Sequence, residues 1–318
     1  MNVTTSPTET TLPLRRHLLD LASMPQETLE ELLALIAKVK SMHLAGETMV
    51  APQASVANLF FESSTRTRFS FEVAEKRLGL QLLSFSSSTS SVNKGETLRD
   101  TANTLLALGA QFIVIRHASS GAAQYLAQCT HAQVINAGDG THEHPTQGLL
   151  DAFTLRESWS SLAGKSVAII GDIRHSRVAR SNIAALPKLG ASVRLFGPAT
   201  LLPKPNEIGE RNVMVCHSFE EAVRGADAVM MLRLQHERMT QGYLSHLRDY
   251  RQGFGLTVER YRQWVRPDAL IMAPGPVNRG VEIDDAVADN PQSVITKQVE
   301  NGVFTRMAVF LYLLGVRL

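Results

Sequence analysis

Short apolar segments alternate with helical segments along nearly the whole chain, and this alternation constrains the fold more than any other sequence feature. The predicted strands are Val56–Phe61, Leu82–Phe85, Phe112–Ile115, Val134–Asn136, Val167–Ile170, Val193–Phe196, Val213–Cys216, Ala228–Leu232 and Leu270–Met272. The predicted helices include Thr28–Met42, Phe69–Leu78, Thr97–Leu108, Thr146–Glu157, Val178–Leu189 and Thr305–Leu314. Strands separated by helices pair in parallel, so the pattern predicts an α/β protein with parallel sheets.

The predicted strands form two sets, before and after about residue 150. A chain of 318 residues is long enough for about two domains of ordinary size. We therefore expect two domains, each a parallel sheet flanked by helices, with the segment Pro145–Glu157 crossing between them. On this pattern alone, the last predicted helix could join either domain.

Charge balance and cysteine content exclude several classes of protein. The 32 basic and 30 acidic residues give a net charge of +2, without the basic excess of proteins that bind a nucleic-acid backbone. Cys129 and Cys216 form neither a CxxC pair nor a disulfide framework, which suits a reducing compartment. The polar start of the chain lacks the apolar core of a signal peptide, and the longest apolar run, Ala308–Val316, is too short for a membrane span. We expect a cytoplasmic protein that binds neither nucleic acid nor membrane.

Arginine outnumbers lysine by 24 to 8, and the positions of some arginines suggest a function for them. Ligands of open parallel sheets bind at the carboxyl ends of the strands. The segments that follow the carboxyl ends of the predicted strands contain four arginines, a histidine and a glutamine: Arg66, Arg116, Arg177, Arg233, His144 and Gln147. Guanidinium groups bind carboxylate and phosphate through paired hydrogen bonds, so these positions predict a site for a substrate with several negative charges. Compositional bias of the genome remains an alternative for the arginine count itself.

The segment Ser63–Arg68 follows the first predicted strand and leads directly into a helix. A turn rich in Ser and Thr at a helix N-terminus offers free backbone N–H groups, hydroxyls and the positive end of the helix dipole, all of which suit phosphate. Taken alone, the segment also fits a simple N-cap with solvated arginines.

Three other motifs are incomplete. Gly164-Lys165-Ser166 resembles the end of a P-loop, but Trp159 stands where that motif requires glycine. Gly171-Asp172-Ile173 lacks the remaining glycines of a dinucleotide fingerprint. His142-Glu143-His144 lacks the partners of a zinc site. We therefore expect no metal and no cofactor.

Seven segments, taken in chain order, resemble the aspartate carbamoyltransferases, and the resemblance covers about residues 14–318. These segments are Phe60–Arg68, Ser90–Thr97, His144–Gln147, Gly171-Asp172 with Arg177, Arg233–Gln235, Pro274–Arg279 and Gln298–Arg306. The resemblance implies a carbamoyl phosphate domain (1–150), onto which a C-terminal helix at about 300–318 packs back, and an aspartate domain (151–299). The active site would lie in the cleft between them.

The resemblance implies transfer of a carbamoyl group from carbamoyl phosphate to the amine of L-aspartate. The products are N-carbamoyl-L-aspartate and phosphate, in the committed step of de novo pyrimidine biosynthesis. It implies that carbamoyl phosphate is bound by Ser64, Thr65, Arg66, Thr67, Ser90, Lys94, Arg116, His144, Gln147, Pro274 and Gly275, the last two through backbone carbonyls. It implies that aspartate is bound by Lys94, Arg177, Arg233 and Gln235. The implied catalytic residues are Arg66, Thr67, Lys94, Arg116 and His144, among which Arg66, Thr67 and His144 polarise the carbonyl oxygen.

The resemblance also implies an oligomer. In the family, the polar loop that carries Ser90 and Lys94 reaches into the neighbouring subunit's site, so we expect a homotrimer with shared active sites. The family includes bare trimers, dodecamers with regulatory chains and complexes with dihydroorotase-like chains. The sequence does not distinguish among these assemblies.

Three positions depart from the family pattern: Ala273 replaces a common histidine, Gly275 a frequent leucine and Val178 a frequent threonine. None of these departures removes a charged group. The closest alternative is an ornithine carbamoyltransferase, whose relatives typically have a cysteine where this chain has Thr146. The other is a catalytically inactive paralogue with an assembly or regulatory role, which should have lost site charges that this chain retains.

Overall fold

The computed structural model describes residues 17–83, 95–204, 208, 212–234 and 247–318, and these residues form two parallel sheets flanked by helices. The strands are β1 Ser55–Phe60, β2 Gln81–Leu83, β3 Phe112–His117, β4 Gln133–Asp139, β5 Ser166–Ile170, β6 Ser192–Phe196, β7 Val213–Val215, β8 Ala228–Met231 and β9 Leu270–Met272. The α-helices are α1 Gln26–Leu44, α2 Thr65–Leu78, α3 Leu98–Ala107, α4 Ala122–Cys129, α5 Pro145–Trp159, α6 Arg177–Ala185, α7 Phe219–Val223, α8 Leu247–Phe254, α9 Val258–Trp264, α10 Asp285–Ala288 and α11 Ile295–Leu313. The predicted fold class is confirmed, and every predicted strand is present. Strand ends within the described residues differ from the predicted ones by up to three residues, and the predicted end of the second strand, Phe85, lies outside the described residues.

In each sheet, the order in which the chain adds strands reverses at one point. The first sheet has the order β2-β1-β3-β4 and the second the order β7-β6-β5-β8-β9, with all neighbouring strands parallel. The chain therefore turns back between β1 and β3 and again between β5 and β8. Ligands of open α/β sheets bind in the crevice at such a point, outside the carboxyl ends of the strands.

Helix α2 begins at Thr65, four residues earlier than the predicted start at Phe69. Ser64 is its N-cap residue, so the Thr-Arg-Thr-Arg sequence forms the first helical turn rather than a turn before the helix. Polar residues occupy this position readily because the first backbone N–H groups of a helix have no intrahelical acceptor. The N–H groups of this turn therefore point out of the helix, toward the space beyond the end of β1.

Helix α11 begins at Ile295, ten residues earlier than the predicted start at Thr305. Its added turns bury Gln298 and Asn301, polar residues that interrupt the apolar periodicity from which a helix is predicted. The helix packs against α1, α2 and α5 and brings its polar side chains to partners on α5. A polar side chain can be buried there because it is hydrogen-bonded.

Helix α6 ends at Ala185, before the predicted end at Leu189. Pro187 accounts for the difference, because its ring clashes with a carbonyl one turn back and it has no N–H to donate. The structure also contains helices that the sequence did not predict, namely α4 and the short α7, α8, α9 and α10. Helix α4 packs against β3 and β4, α7 packs against β5 and β6, and none of these helices alters the strand order.

Candidate active site

Two arginines meet at one carboxylate in the cleft between the sheets. Glu62 lies just after β1, Arg116 lies near the end of β3, and Arg177 begins α6, which follows β5. Nη1 of Arg177 donates to Oε2 of Glu62 at 2.6 Å, and Nε of Arg116 lies 3.8 Å from the same oxygen. The side chains of Arg177 and Glu62 are only 7% and 20% exposed. This ion pair therefore joins the ends of the first and second sheets away from bulk solvent.

Gly138 in β4 lies directly against both of these arginines. A Cβ atom at this position would lie 2.9 Å from Nε of Arg177 and 3.2 Å from Nη1 of Arg116. The φ of Gly138 is +115°, a conformation that favours glycine. The absence of a side chain at this residue therefore allows the two guanidinium groups to approach each other.

A second pair of arginines, Arg66 and Arg233, follows β1 and β8, and Arg66 reaches the segment after β9. Burial and, after it, the positive charge of Arg233 lower the pKa of Arg66. A Cβ atom on Gly275, whose φ is +55°, would lie 2.6 Å from Nη1 of Arg66. The departure from leucine at this position thus coincides with space that the Arg66 side chain fills.

His144 is held by its backbone at the start of α5. Its N–H donates to the Ser181 hydroxyl at 2.9 Å, and that hydroxyl donates to Oε2 of Glu143 at 2.8 Å. Glu143 also accepts hydrogen bonds from the backbone N–H groups of Leu21 and Ala22 at 2.9 and 3.0 Å. These bonds connect the start of α5 to α6 and to the chain before α1. The backbone of His144 is therefore held in place from two sides.

The environment of His144 keeps its imidazole neutral. Burial is the largest cause, and the positive charges of Arg116, Arg306 and Arg177 add to it, so the pKa lies well below its usual range. A neutral imidazole carries one N–H and has no formal charge. His144 can therefore donate a hydrogen bond to a carbonyl oxygen without repelling the neighbouring cations.

The N-terminus of α2 provides the groups that a phosphate needs. The Ser64 side chain makes no capping hydrogen bond to the helix, and Thr67 is buried in its first turn. The backbone N–H groups of this turn and the positive end of the helix dipole point toward the crevice. The geometry matches an anion site whose charge is balanced by Arg66 and Arg116.

The predicted residues in the described part of the chain all lie at carboxyl ends of strands or in the segments directly after them. They are Ser64, Thr65, Arg66 and Thr67 after β1, Arg116 in β3, His144 and Gln147 after β4, Arg177 after β5, Arg233 after β8, and Pro274 and Gly275 after β9. Ser90, Lys94 and Gln235 lie outside the described residues.

Sequence reasoning assigned no role to Glu62, Asp151 or Gln298. Glu62 could have been noticed, because it stands directly after a predicted strand within the same motif as Arg66. Asp151 and Gln298 lie inside helices 147 positions apart and meet only through folding, at 2.8 Å. Gln298 begins the resemblance segment Gln298–Arg306, but nothing in that segment or around Asp151 indicates that the two residues are partners.

The part of the chain that the structure describes contains neither a metal-binding cluster nor a membrane-spanning helix. No group of three or more His, Cys, Asp or Glu side chains is arranged to hold a metal ion there. Among the same residues, every helix is too short or too polar to cross a membrane.

Comparison with known proteins identifies the family. Residues 16–157 match the family model described as the carbamoyl-P binding domain of aspartate/ornithine carbamoyltransferase, and residues 163–313 match its Asp/Orn binding domain. The aspartate carbamoyltransferase catalytic subunits of Opitutus terrae and Gemmatimonas aurantiaca are 50% and 53% identical to the chain. The alignments cover 94% and 95% of this chain and 95% and 94% of those relatives.

Solved structures of both branches of the family resemble this one. Aspartate transcarbamoylase from Trypanosoma cruzi, in complex with carbamoyl phosphate and aspartate, has a TM-score of 0.85 at 29% identity, with 96% of this chain and 97% of that chain covered. Ornithine carbamoyltransferase from Pyrococcus furiosus has a TM-score of 0.84 at 28% identity, covering 95% and 97%. The backbone therefore does not separate the two activities, but all comparisons agree on the wider group. The chain belongs to the aspartate/ornithine carbamoyltransferase family.

Proposed function

We propose that the chain is an aspartate carbamoyltransferase, which converts carbamoyl phosphate and L-aspartate to N-carbamoyl-L-aspartate and phosphate in pyrimidine biosynthesis. The placement of four arginines at the facing ends of the two sheets carries this proposal: Arg116 and Arg177 both approach Glu62, and Arg66 and Arg233 follow β1 and β8. One phosphate and two carboxylates together bring up to four negative charges, which four guanidinium groups can bind. Relatives about 50% identical that are named aspartate carbamoyltransferase catalytic subunit support the choice of aspartate.

The carbamoyl phosphate subsite is proposed to lie at the ends of β1, β3, β4 and β9. Its residues are Ser64, Thr65, Arg66, Thr67, Arg116, His144 and Gln147, the backbone carbonyls of Pro274 and Gly275, and Ser90 and Lys94. The phosphate would sit on the first turn of α2 with Arg66 and Arg116, where N–H groups and positive charge are concentrated. The carbamoyl group would then extend toward His144 and Gln147 on α5.

The aspartate subsite is proposed to use Arg177 and Arg233, with Lys94 and Gln235. Arg177 begins α6 and Arg233 follows β8, so both belong to the side of the cleft opposite the phosphate. Each guanidinium can bind one carboxylate through two parallel hydrogen bonds.

The reaction then needs positioning and electrostatic stabilisation. The aspartate amine attacks the carbamoyl carbon, forming a C–N bond and a tetrahedral intermediate with a negative oxygen. Arg66, Thr67 and the neutral His144 donate hydrogen bonds to that oxygen. When the intermediate collapses, the carbon–oxygen bond to phosphate breaks, and phosphate leaves with the amine proton. Closure of the two domains over the crevice would exclude water from this step.

An ornithine carbamoyltransferase is the second candidate, because the Pyrococcus furiosus enzyme matches the backbone nearly as well. The side chains argue against it. Ornithine would bring a second ammonium group into a crevice that already holds four guanidinium groups, and those charges repel it.

The test is an assay of the purified full chain with carbamoyl phosphate and either L-aspartate or L-ornithine. We expect N-carbamoyl-L-aspartate and an equal amount of phosphate with aspartate, and no citrulline with ornithine. Citrulline as the product would select the second candidate. If neither amino acid is carbamoylated, the chain is an inactive paralogue and the proposal is wrong.

Replacing Gly138 by alanine should disrupt the arginines without touching a substrate directly. The new methyl group would push Arg177 and Arg116 out of position, and displacement of about 1 Å costs about 100-fold in rate. We expect kcat/KM for aspartate to fall by about that factor. Gly164→Ala is the matched control, because Gly164 also has a positive φ of +74° but no atom within 4 Å of the added Cβ. Equal losses of kcat/KM in the two variants would contradict this explanation.

We also propose the domain limits and assembly that the resemblance implies. Residues 1–150 would form the carbamoyl phosphate domain, with the helical segment at about 300–318 packed back onto it, and 151–299 the aspartate domain. The contacts of α11 with α1 and α2 support this division. A homotrimer with shared sites is supported by Phe69 and Val73, apolar side chains that are 55% and 37% exposed on α2. We propose a cytoplasmic location because Cys129 and Cys216 are free thiols.

A further inference from the structure

One buried carboxylate, Asp151, joins three helices behind the proposed carbamoyl phosphate subsite. Its Oδ1 accepts hydrogen bonds from Nε2 of Gln147 at 2.9 Å and from Nε2 of Gln298 at 2.8 Å. Its Oδ2 accepts from Nδ2 of Asn182 at 2.8 Å. These side chains come from α5, α11 and α6, and all of them are buried. Asp151 therefore determines the direction of three side-chain amide groups.

Gln298 extends this network to the segment after β9. Its Oε1 accepts a hydrogen bond from the backbone N–H of Ala273 at 3.0 Å, while its Nε2 donates to Asp151. Ala273 directly precedes Pro274 and Gly275, whose carbonyl oxygens are proposed to contact the carbamoyl group. The same glutamine therefore connects this backbone segment to Gln147 through a single carboxylate.

The negative charge of Asp151 determines which atom of each neighbouring amide group faces it. Burial raises the pKa of Asp151 to about 6, so the carboxyl group is ionised at neutral pH. An ionised carboxylate can only accept hydrogen bonds, so the nitrogen of the Gln147 amide must face it. The Gln147 amide oxygen is then the atom left for a ligand. The NH2 group of a carbamoyl substituent is a donor and needs acceptors of this kind.

Building on the proposed function, we infer that Asp151 and Gln298 are positioning residues, which hold the acceptors for the NH2 group of carbamoyl phosphate. They act through Gln147 and the backbone of Pro274 and Gly275, and neither of them contacts the substrate. The phosphate end of the subsite, on the first turn of α2, shares none of these hydrogen bonds. Asp151 and Gln298 therefore affect recognition of the carbamoyl group and not recognition of the phosphate.

The Gln298→Met variant tests this separation. Methionine has about the same length and can pack in the same space, but it removes the bonds to both Asp151 and Ala273. We expect the Kd for carbamoyl phosphate, measured by calorimetry on the full chain, to rise about tenfold, the effect of one hydrogen bond to a charged group. The Kd for inorganic phosphate should stay within about twofold of the wild-type value.

Asn301→Ala is the matched control. Asn301 lies one turn along α11 from Gln298, is also fully buried, and donates to Thr154 and Glu157 on α5. Its loss should lower Tm, as in Gln298→Met, but leave the Kd of both ligands within about twofold. If Gln298→Met weakens both ligands equally, or neither more than the control does, these residues serve only packing and the inference is overturned.

Asp151→Asn provides a rescue experiment. Asparagine keeps one oxygen for Gln147 and Gln298, and its nitrogen can face the oxygen of Asn182 if that amide turns over. We expect carbamoyl phosphate to bind nearly as well as in the wild type, but about tenfold more weakly in Asp151→Ala. Equal losses in the two variants would count against the inference. Calorimetry needs no turnover, so a chain that binds carbamoyl phosphate without carbamoylating aspartate would contradict the proposed function but not this inference.

Discussion

Replacement of Arg66 by alanine is expected to lower kcat by at least about 100-fold, which is the usual cost of removing one donor to a developing oxyanion. Arg66 lies in the first turn of α2, and its guanidinium reaches the cleft beside Arg233 and Gly275. In the proposed mechanism it carries the only formal charge among the three groups that bind the negative oxygen. Without Arg66, only the hydroxyl of Thr67 and the neutral imidazole of His144 remain to stabilise the negative oxygen.

The fold should survive this substitution. Alanine is the residue that most favours a helix, and the Arg66 side chain lies at the surface of α2 and not in the core. The matched control is Arg68→Ala, two residues further along the same helix. The Arg68 side chain is 51% exposed and pairs with Glu72, at 2.7 Å, one turn away. We expect wild-type kcat in this control and unchanged Tm in both variants. An Arg66→Ala enzyme within a few-fold of the wild-type rate would show that another group stabilises the oxyanion.

The strand positions could be predicted from the sequence because a parallel strand is buried on both faces. Val167–Ile170 is continuously apolar, Val56–Leu59 is apolar except for Asn58, and the structure buries every residue of both runs. The location of the site followed from the same property, since parallel strands bring their carboxyl ends to one edge. Four arginines that are far apart in sequence could thus be assigned to a single crevice before the structure was known.

Buried polar residues limit what could be predicted. The start of α11 was missed because Gln298 and Asn301 interrupt its apolar pattern, and their partners lie on α5, 147 positions away for both Asp151 and Thr154. Glu62 stands in a recognisable position after a strand, but its partner could not be predicted for a similar reason, because Arg177 lies 115 positions further along the chain. A side chain whose environment is supplied by another element carries no periodic signal in its own segment.

Mixing two inactive variants is expected to restore activity if the proposed sites are shared between subunits. In a closed ring of three identical contacts, each site would take Arg66 from one chain and Lys94 from its neighbour. Every trimer that contains both Arg66→Ala and Lys94→Ala chains then has one position where an intact Arg66 faces an intact Lys94. One of its three sites is wild type, so isolated mixed trimers should show about one third of the wild-type kcat per trimer.

A second pair of variants separates shared sites from a general effect of mixing. Arg66 and Arg116 both belong to the first sheet's side of the proposed site and would be supplied by the same chain. Mixed trimers of Arg66→Ala and Arg116→Ala chains therefore contain no wild-type site and should stay inactive. Subunit composition is checked by native mass spectrometry before each assay. Recovery in both mixtures would mean that contact with any partner repairs the site. Failure in the Lys94 mixture would mean that each site is complete within one chain, because only a site split between neighbours gains an intact pair by mixing.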